Sequence, residues 1–117
     1  MTSDNPESPN EAKIAWYVLR VYPGYEQKTR TNLEERLRNH KLQQPGMQIA
    51  IPSEILVEEK ERNALSGFIL VKMRLYPETW SLVRNAPGVT GFIGLGSDPT
   101  PFYTSDWSEI PFRRFLG

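Results

Sequence analysis

The sequence predicts an α+β fold: a mainly antiparallel sheet of about four strands with flanking helices, in split βαβ order. The first observation behind this prediction is the alternation of apolar residues between residues 66 and 75, which is typical of a strand. The second is an amphipathic stripe over residues 25–40, which is typical of a helix. The third is the order of such segments along the chain: strand, helix, strand, strand, helix, strand and a terminal helix.

The strand within residues 66–75 is predicted to be apolar on both faces. Ile69, Val71, Met73 and Leu75 point to one face, whereas Phe68 and Leu70 point to the other. Two large apolar side chains on the second face need a cover, which either a helix of the same chain or a partner molecule supplies.

The first strand and the first helix are predicted from a change of pattern at a turn. Residues 16–22 are aromatic and β-branched, and Pro23-Gly24 ends them. The helix over residues 25–40 carries one narrow stripe, formed by Tyr25, Thr29, Leu33 and Leu37. Its charged pairs at i,i+4 spacing are interpreted as a solvated face; they are Glu26–Arg30, Arg30–Glu34 and Glu34–Arg38.

The remaining elements follow from alternation, prolines and glycines. Residues 47–51 alternate as a half-buried strand that residues 55–57 extend, and residues 58–63 are predicted to be a charged hairpin tip. A second helix begins at Pro77 and ends near Ala86, before Pro87-Gly88. The last predicted elements are a strand at 89–94, a loop at 96–101 and a final helix that starts at Ser105 or Ser108 and runs to Leu116.

Composition excludes several classes of function. The 117 residues suffice for one domain, contain no cysteine and carry no net charge, with six basic against three acidic residues in 16–45. Residues 1–15 contain almost no large apolar side chain and are predicted to be a disordered leader before a domain at 16–117. There is neither a signal peptide nor a membrane span, so a cytoplasmic location is expected.

No catalytic or metal-binding pattern is present, so we expect neither an enzyme nor a cofactor or metal. His40 is the only histidine and lies at the polar end of a charged helix. The glycines of residues 91–96 lead into a proline-rich loop rather than a helix, which argues against a dinucleotide site. An RNA recognition motif is the alternative binding module, and Gly67-Phe68 partly match it. The match weakens because Leu70 and Met73 stand where stacking rings are needed.

Several motifs together resemble the N-terminal (NGN) domain of the NusG family of transcription elongation factors. They are Trp16-Tyr17-Val18-Leu19, Tyr22-Pro23-Gly24-Tyr25-Glu26, Ile51-Pro52, residues 67–73, Trp80 and residues 83–94. The resemblance covers roughly residues 16–110. It implies binding to the clamp helices of the largest RNA polymerase subunit, with modulation of pausing and processivity.

The resemblance also implies site residues. The polymerase-binding set would be Trp16, Arg20, Leu65, Gly67, Phe68, Leu70, Phe92 and Pro101. Thr79 and Ser81 would face the gate loop of the other large subunit. Tyr22, Arg84 and Asn85 would contact the non-template DNA strand as an auxiliary surface. Leu65-Ser66 stand where the family usually has an aromatic residue and a proline, so docking is expected to be weaker or tuned.

The resemblance sets three further expectations. A monomer is expected. The KOW domain that follows in the family is not found within residues 16–117, so recruitment of termination factor Rho or a ribosomal protein is not expected of them. A paralog of NusG that acts on particular operons is the closest alternative within the same class.

Overall fold

The fold is known from a computed structural model, which describes residues 13–56 and 58–114. Its centre is a sheet of four antiparallel strands in the order β2-β3-β1-β4. These strands are β1 (Ile14–Val21), β2 (Gln48–Ala50), β3 (Phe68–Arg74) and β4 (Val89–Phe92). The order confirms the predicted α+β class and its split βαβ topology, because β1 lies between β3 and β4 although the chain forms it first.

Helices and a small hairpin surround this sheet. The helices are α1 (Glu26–Asn39), α2 (Pro52–Ile55), α3 (Glu59–Ala64) and α4 (Pro77–Arg84), and the hairpin joins β5 (Gly94–Leu95) to β6 (Asp98–Pro99). The strand predicted at 89–94 is therefore shorter than expected, and its last residue belongs to the hairpin. Strand β1 begins at Ile14, inside the segment predicted to be a leader. Residues 1–12 of that segment lie outside the described residues.

Two predictions for residues 52–64 are wrong. The expected strand extension at Ile55-Leu56 is replaced by α2, because Pro52 occupies a first-turn helical position that suits its missing N–H. Val57, the third residue of that prediction, lies outside the described residues. The expected hairpin tip is the helix α3, which has glutamates in its first turn and Arg62 in its last, as the helix dipole favours.

The predicted C-terminal helix is replaced by two short 3-10 turns, Trp107–Glu109 and Phe112–Arg114. Pro111 lies between them and cannot continue a helical hydrogen-bond ladder. The carboxylate of Asp106 accepts a hydrogen bond from the Ser108 N–H at 3.0 Å, which lowers the pKa of Asp106. The last residues of the predicted helix, 115–117, lie outside the described residues.

The main core lies between the sheet and the helices α1 and α4. We call this side of the sheet the inner face. It buries alternate residues of β1 and β3 together with Leu33, Leu37 and Val83 from the helices. The strand residues are Ala15, Tyr17, Leu19 and Val21 from β1 and Ile69, Val71 and Met73 from β3. The alternation predicted for β3 is confirmed.

Glu26 joins the start of α1 to the start of β3. Its carboxylate accepts hydrogen bonds from the backbone N–H groups of Gly24 at 2.9 Å and Gly67 at 2.7 Å, and the side chain is 8% exposed. Glu26 was interpreted as part of a solvated charge ladder, and that interpretation is wrong for this residue. Spacing within one helix carries no information about a backbone N–H that is 41 residues away.

Tyr17 makes the stability of the fold depend on pH in the alkaline range. Burial of the phenol raises the pKa of Tyr17 from 10.0 to about 12, and the nearby Tyr103 contributes in the same direction. Between these values the folded chain holds a proton that the unfolded chain has lost, so stability falls as the pH rises. We expect the urea midpoint of the wild type to fall between about pH 10 and 12 more steeply than that of Tyr17→Phe. Parallel profiles would contradict this assignment.

Within the described residues, no helix has the length and apolar character that crossing a membrane requires.

Candidate functional site

The side of the sheet opposite α1 and α4, here called the outer face, is aromatic and flanked by cations. Trp16, Val18, Phe68 and Leu70 project from it, and each is at most 5% exposed. The guanidinium of Arg20, which is exposed, lies 5.2 Å from the centre of the Phe68 ring. The ammonium of Lys72 lies 5.9 Å from the centre of the Trp16 ring.

The chain's own C-terminal segment lies on this face. Four side chains of residues 102–112, here called the covering segment, pack against it: Phe102, Trp107, Ile110 and Phe112. Phe102 is paired with Trp16 by two backbone hydrogen bonds of 2.9 Å each. Of the two covers that the sequence left open, the chain itself supplies the one seen here. In this conformation the Phe68 ring is closed to a partner.

One polar group on the outer face is left without a partner. The indole Nε1–H of Trp16 is buried and finds no hydrogen-bond acceptor among residues 13–56 and 58–114. Leaving a buried donor unpaired costs about 1–3 kcal/mol. The outer face therefore holds a hydrogen-bond donor that the described chain does not use.

The predicted polymerase-binding residues divide between the two faces. Leu65 joins Trp16 and the other outer-face residues and is 6% exposed. Pro101 is half-buried next to Phe102. Phe92 lies on the inner face instead, where its ring meets the Trp80 ring edge-on with centroids 4.9 Å apart.

The position of Phe92 follows from strand register. Phe92 is paired with Leu19, an inner-face residue, and the register shifts between Arg20 and Val21. The glycines of the strand predicted at 89–94 indicate a bulge or a close backbone approach, but they do not show at which residue the register shifts. Ile93, which is not among the predicted site residues, packs against the outer-face cluster instead.

Gly67 acts through its backbone conformation and does not offer a surface to a partner. Its φ of +88° is one that glycine adopts readily, and a Cβ there would lie 3.2 Å from the Val21 carbonyl oxygen. Its N–H is held by Glu26. Gly67 therefore fixes the start of β3.

The residues predicted to face the gate loop point in different directions. Thr79 is 2% exposed and belongs to the buried side of α4. Ser81 is exposed, and its carbonyl accepts a hydrogen bond from the Asn85 side chain at 2.8 Å. Of these two residues, only Ser81 has a side chain that a partner can contact.

The three predicted nucleic-acid residues are all exposed. Arg84 lies over the Trp80 ring at 5.8 Å, and Asn85 follows it at the end of α4. Tyr22 is 59% exposed. The chain continues from Asn85 to Pro87 and Gly88, which line the same cleft as Tyr22.

This tyrosine cleft, of about 450 Å³, lies between α1 and the turn that follows α4. Its lining residues are Tyr22, Tyr25, Lys28, Thr29, Asn32, Pro87 and Gly88. Tyr25 was predicted to lie on the buried stripe of α1, but it is 55% exposed, because it precedes the first helical residue. Thr29 belongs to the predicted stripe, whereas Lys28 and Asn32 of α1 gave no signal in the sequence beyond their polarity.

Two other classes of site find no support in the geometry. Among the described residues, no group of three or more histidine, cysteine, aspartate or glutamate side chains is placed to hold a metal ion. An RNA recognition motif needs exposed rings on its sheet, whereas Phe68 and Leu70 are covered.

Comparison with known proteins identifies the relatives of this chain. A family profile described as transcription termination factor nusG matches residues 14–110. The Streptomyces coelicolor transcription termination/antitermination protein NusG is 42% identical over 93 residues, which are 74% of this chain and 31% of that protein. The same-named protein of Halalkalibacterium halodurans is 40% identical over 105 residues, which are 81% of this chain and 59% of that protein.

A solved structure agrees with these relatives. It is described as "Domain interaction in Thermotoga maritima NusG", and the match has a TM-score of 0.62 at 28% identity over 76% of this chain and 50% of the other. This chain thus spans between 31% and 59% of the length of these three relatives. Since the profile covers residues 14–110 of 117, the chain belongs to the NusG family of transcription termination and antitermination factors.

Proposed function

We propose that this domain binds RNA polymerase during elongation and modulates pausing and processivity without making or breaking a bond. The partner is the pair of clamp helices in the largest subunit, and the outer face is the surface that receives it. Family membership supports the process, and the outer face supports the mode of binding. The domain acts in the cytoplasm as a monomer.

The observation that carries the binding mode is the outer face itself. Trp16 and Phe68 lie on the same face, each with a cation near its ring, and the Trp16 Nε1–H lacks an acceptor within the described chain. Large aromatic residues with flanking cations are typical of the anchors that dominate protein interfaces. A partner that offers a carbonyl or carboxylate to Trp16 would satisfy a donor that the free domain leaves unpaired.

Docking on this face requires the covering segment to move. Phe68 is only 5% exposed, so the partner and residues 102–112 compete for the same apolar surface. The regular structure of the segment is limited to an isolated bridge and two short 3-10 turns. Such elements open at lower free energy than the sheet does. Binding therefore replaces a weakly held intramolecular cover with an intermolecular one.

The effect on transcription is one of differential binding. A factor that binds the closed clamp more tightly than the open clamp shifts the equilibrium towards the closed state. A difference of about 1.4 kcal/mol changes that equilibrium tenfold. Burial of a single aliphatic side chain contributes a comparable amount.

Two smaller contacts complete the proposed complex. Ser81 is the exposed residue of α4 that would meet the gate loop, and buried Thr79 acts only by supporting the helix. Arg84 and Asn85 would face the non-template strand, one as a phosphate contact and one through its amide oxygen.

We expect Arg20→Glu to weaken retention of core RNA polymerase by about tenfold in a pull-down with this chain. Arg20 is exposed and touches the Phe68 ring, so the change alters the rim of the outer face without opening a cavity. Arg38→Glu is the matched control, because Arg38 is an exposed cation of α1 on the other side of the sheet.

The same pull-down tests the competition. Trp107→Ala loosens the covering segment and is expected to strengthen retention. Equal retention of the wild type, Arg20→Glu and Arg38→Glu would exclude the outer face as the docking surface. Weaker retention of Trp107→Ala, with unchanged circular dichroism, would make the covering segment part of the binding surface rather than its competitor.

A further inference from the structure

We propose that Glu26 is a positioning residue for the outer face: its buried carboxylate holds residues 65–68, here called the docking turn, in the arrangement that RNA polymerase meets. The inference rests on the proposed function, because it concerns how the docking surface is kept ready for that partner. Glu26 itself is 8% exposed and lies at the start of α1, so it acts through the docking turn and not by touching the partner.

Both oxygens of the Glu26 carboxylate accept hydrogen bonds. Oε1 accepts from the Gly24 N–H at 2.9 Å, and Oε2 accepts from the Gly67 N–H at 2.7 Å. The Ser66 hydroxyl also lies 3.5 Å from Oε2. Hydrogen bonds to a carboxylate are shorter and stronger than those between neutral groups. One side chain therefore ties the turn before α1 to the docking turn before β3.

The docking turn carries an apolar side chain on each side of the residues that Glu26 holds. Leu65 precedes Ser66 and Gly67, and Phe68 follows them; Leu65 and Phe68 both belong to the outer-face cluster. On its other side, the Gly67 carbonyl accepts a hydrogen bond from the Val21 N–H at 2.8 Å. The backbone between the two apolar side chains is thus held from α1 and from β1.

Strand pairing carries this position on to Arg20. Phe68 is the first residue of β3 and is paired with Arg20, whose guanidinium lies 5.2 Å from the centre of the Phe68 ring. A shift at Gly67 therefore changes how this ring meets the guanidinium. The other ring and cation of the outer face, Trp16 and Lys72, are paired four residues further along β3. Glu26 accordingly acts on one end of the docking surface.

A glutamine cannot replace this carboxylate. The side chain of glutamine has the same length, but it offers one acceptor oxygen and carries a donor in place of the other. In Glu26→Gln, either the Gly24 N–H or the Gly67 N–H would face that donor. Glycine is free to adopt other conformations once such a bond is lost. The docking turn would then have to be ordered on binding, which lowers affinity although every group that touches the partner is retained.

The first experiment measures retention of core RNA polymerase by Glu26→Gln. We expect retention to be about fivefold weaker than that of the wild type, because the docking turn is no longer preorganised. Glu35→Gln is the matched control, since Glu35 is an exposed glutamate of the same helix, and it should be retained like the wild type. Equal retention of Glu26→Gln and the wild type would overturn the inference.

Double variants separate positioning from a general loss of stability. Glu26→Gln is combined with Arg20→Gln, next to the docking turn, and with Lys72→Gln, at the other end of the outer face. If Glu26 positions Phe68 against Arg20, the first pair should depart from additivity in retention by about threefold, and the second pair should be additive. Additivity in both pairs would mean that Glu26 acts only through stability, and would overturn the positioning role.

The second experiment uses the free chain, so it does not depend on polymerase. The face of an aromatic ring shifts the NMR signals of nearby protons upfield. In Glu26→Gln we expect the upfield shift of the Arg20 side chain to shrink and the Gly67 N–H to exchange faster. The shift of the Lys72 side chain over Trp16 should stay as in the wild type. An unchanged Arg20 shift would overturn the inference.

The two experiments distinguish failure of this inference from failure of the proposed function. A wild-type chain that polymerase does not retain would contradict the proposed function, and the docking role of Glu26 would be overturned with it. The NMR result on the free chain would then still show whether Glu26 holds Phe68. A wild type that is retained, together with equal retention of Glu26→Gln, would overturn this inference alone.

Discussion

Phe68→Ala is expected to destabilise the domain by about 3–5 kcal/mol. The Phe68 side chain is 5% exposed and joins Trp16, Leu70 and Ile110 in the outer-face cluster. Its removal leaves a cavity between the sheet and the covering segment and takes away the ring beneath Arg20. The free energy of unfolding of a small domain is only about 5–15 kcal/mol. A large fraction of the variant molecules would therefore be unfolded at low urea concentrations. Urea unfolding followed by circular dichroism measures the change.

Leu95→Ala is the matched control for this measurement. Leu95 is an apolar residue that is 86% exposed in the β5–β6 hairpin, so its truncation should change stability by less than about 0.5 kcal/mol. If the loss of stability in Phe68→Ala were no larger than that in Leu95→Ala, the covering segment would not be packed on the outer face in solution. The same result bears on docking, because loss of polymerase binding by Phe68→Ala has meaning only where the variant is folded.

The pattern of the central strands was predictable, because it depends on residues that are neighbours in sequence. Alternation in β3 separates Phe68 and Leu70 from Ile69, Val71 and Met73, and the structure places the two sets on opposite faces. The helix boundaries set by Pro77 and by Pro87-Gly88 hold within two residues. Residues 58–63 were misassigned because six polar residues suit a hairpin tip and an exposed helix equally well.

The site was less predictable, because its geometry depends on contacts between distant segments. Resemblance to the family selected the outer face, but no local pattern shows that residues 102–112 return to cover it. Phe92 was assigned to that face, but the register shift in the pairing of β1 with β4 places it on the inner one. The cleft combines residues of α1 with a turn about 60 residues later, and only the fold brings them together.

Gly88→Ala is expected to destabilise the domain by about 2–4 kcal/mol, through backbone strain and overpacking together. Residue 88 has a φ of +96°, and an added Cβ would overlap the Thr29 hydroxyl and lie 3.3 Å from Thr29 Cβ. Thr29 is 1% exposed and cannot turn away without losing its hydrogen bond to Tyr25. The added methyl therefore pushes the turn after α4 away from α1. Urea unfolding of the variant gives the change in stability.

Gly24→Ala separates backbone strain from overpacking. Gly24 has a similar φ of +92° but no atom within 4 Å of an added Cβ, so only strain of about 1–2 kcal/mol is expected there. The steric part is tested by combining Gly88→Ala with Thr29→Ala, which removes the overlapping hydroxyl. The loss in the double variant should fall short of the sum of the single losses by about 1 kcal/mol or more. Strict additivity would mean that Gly88 and Thr29 are not in contact, which would contradict the close packing of the turn after α4 against α1.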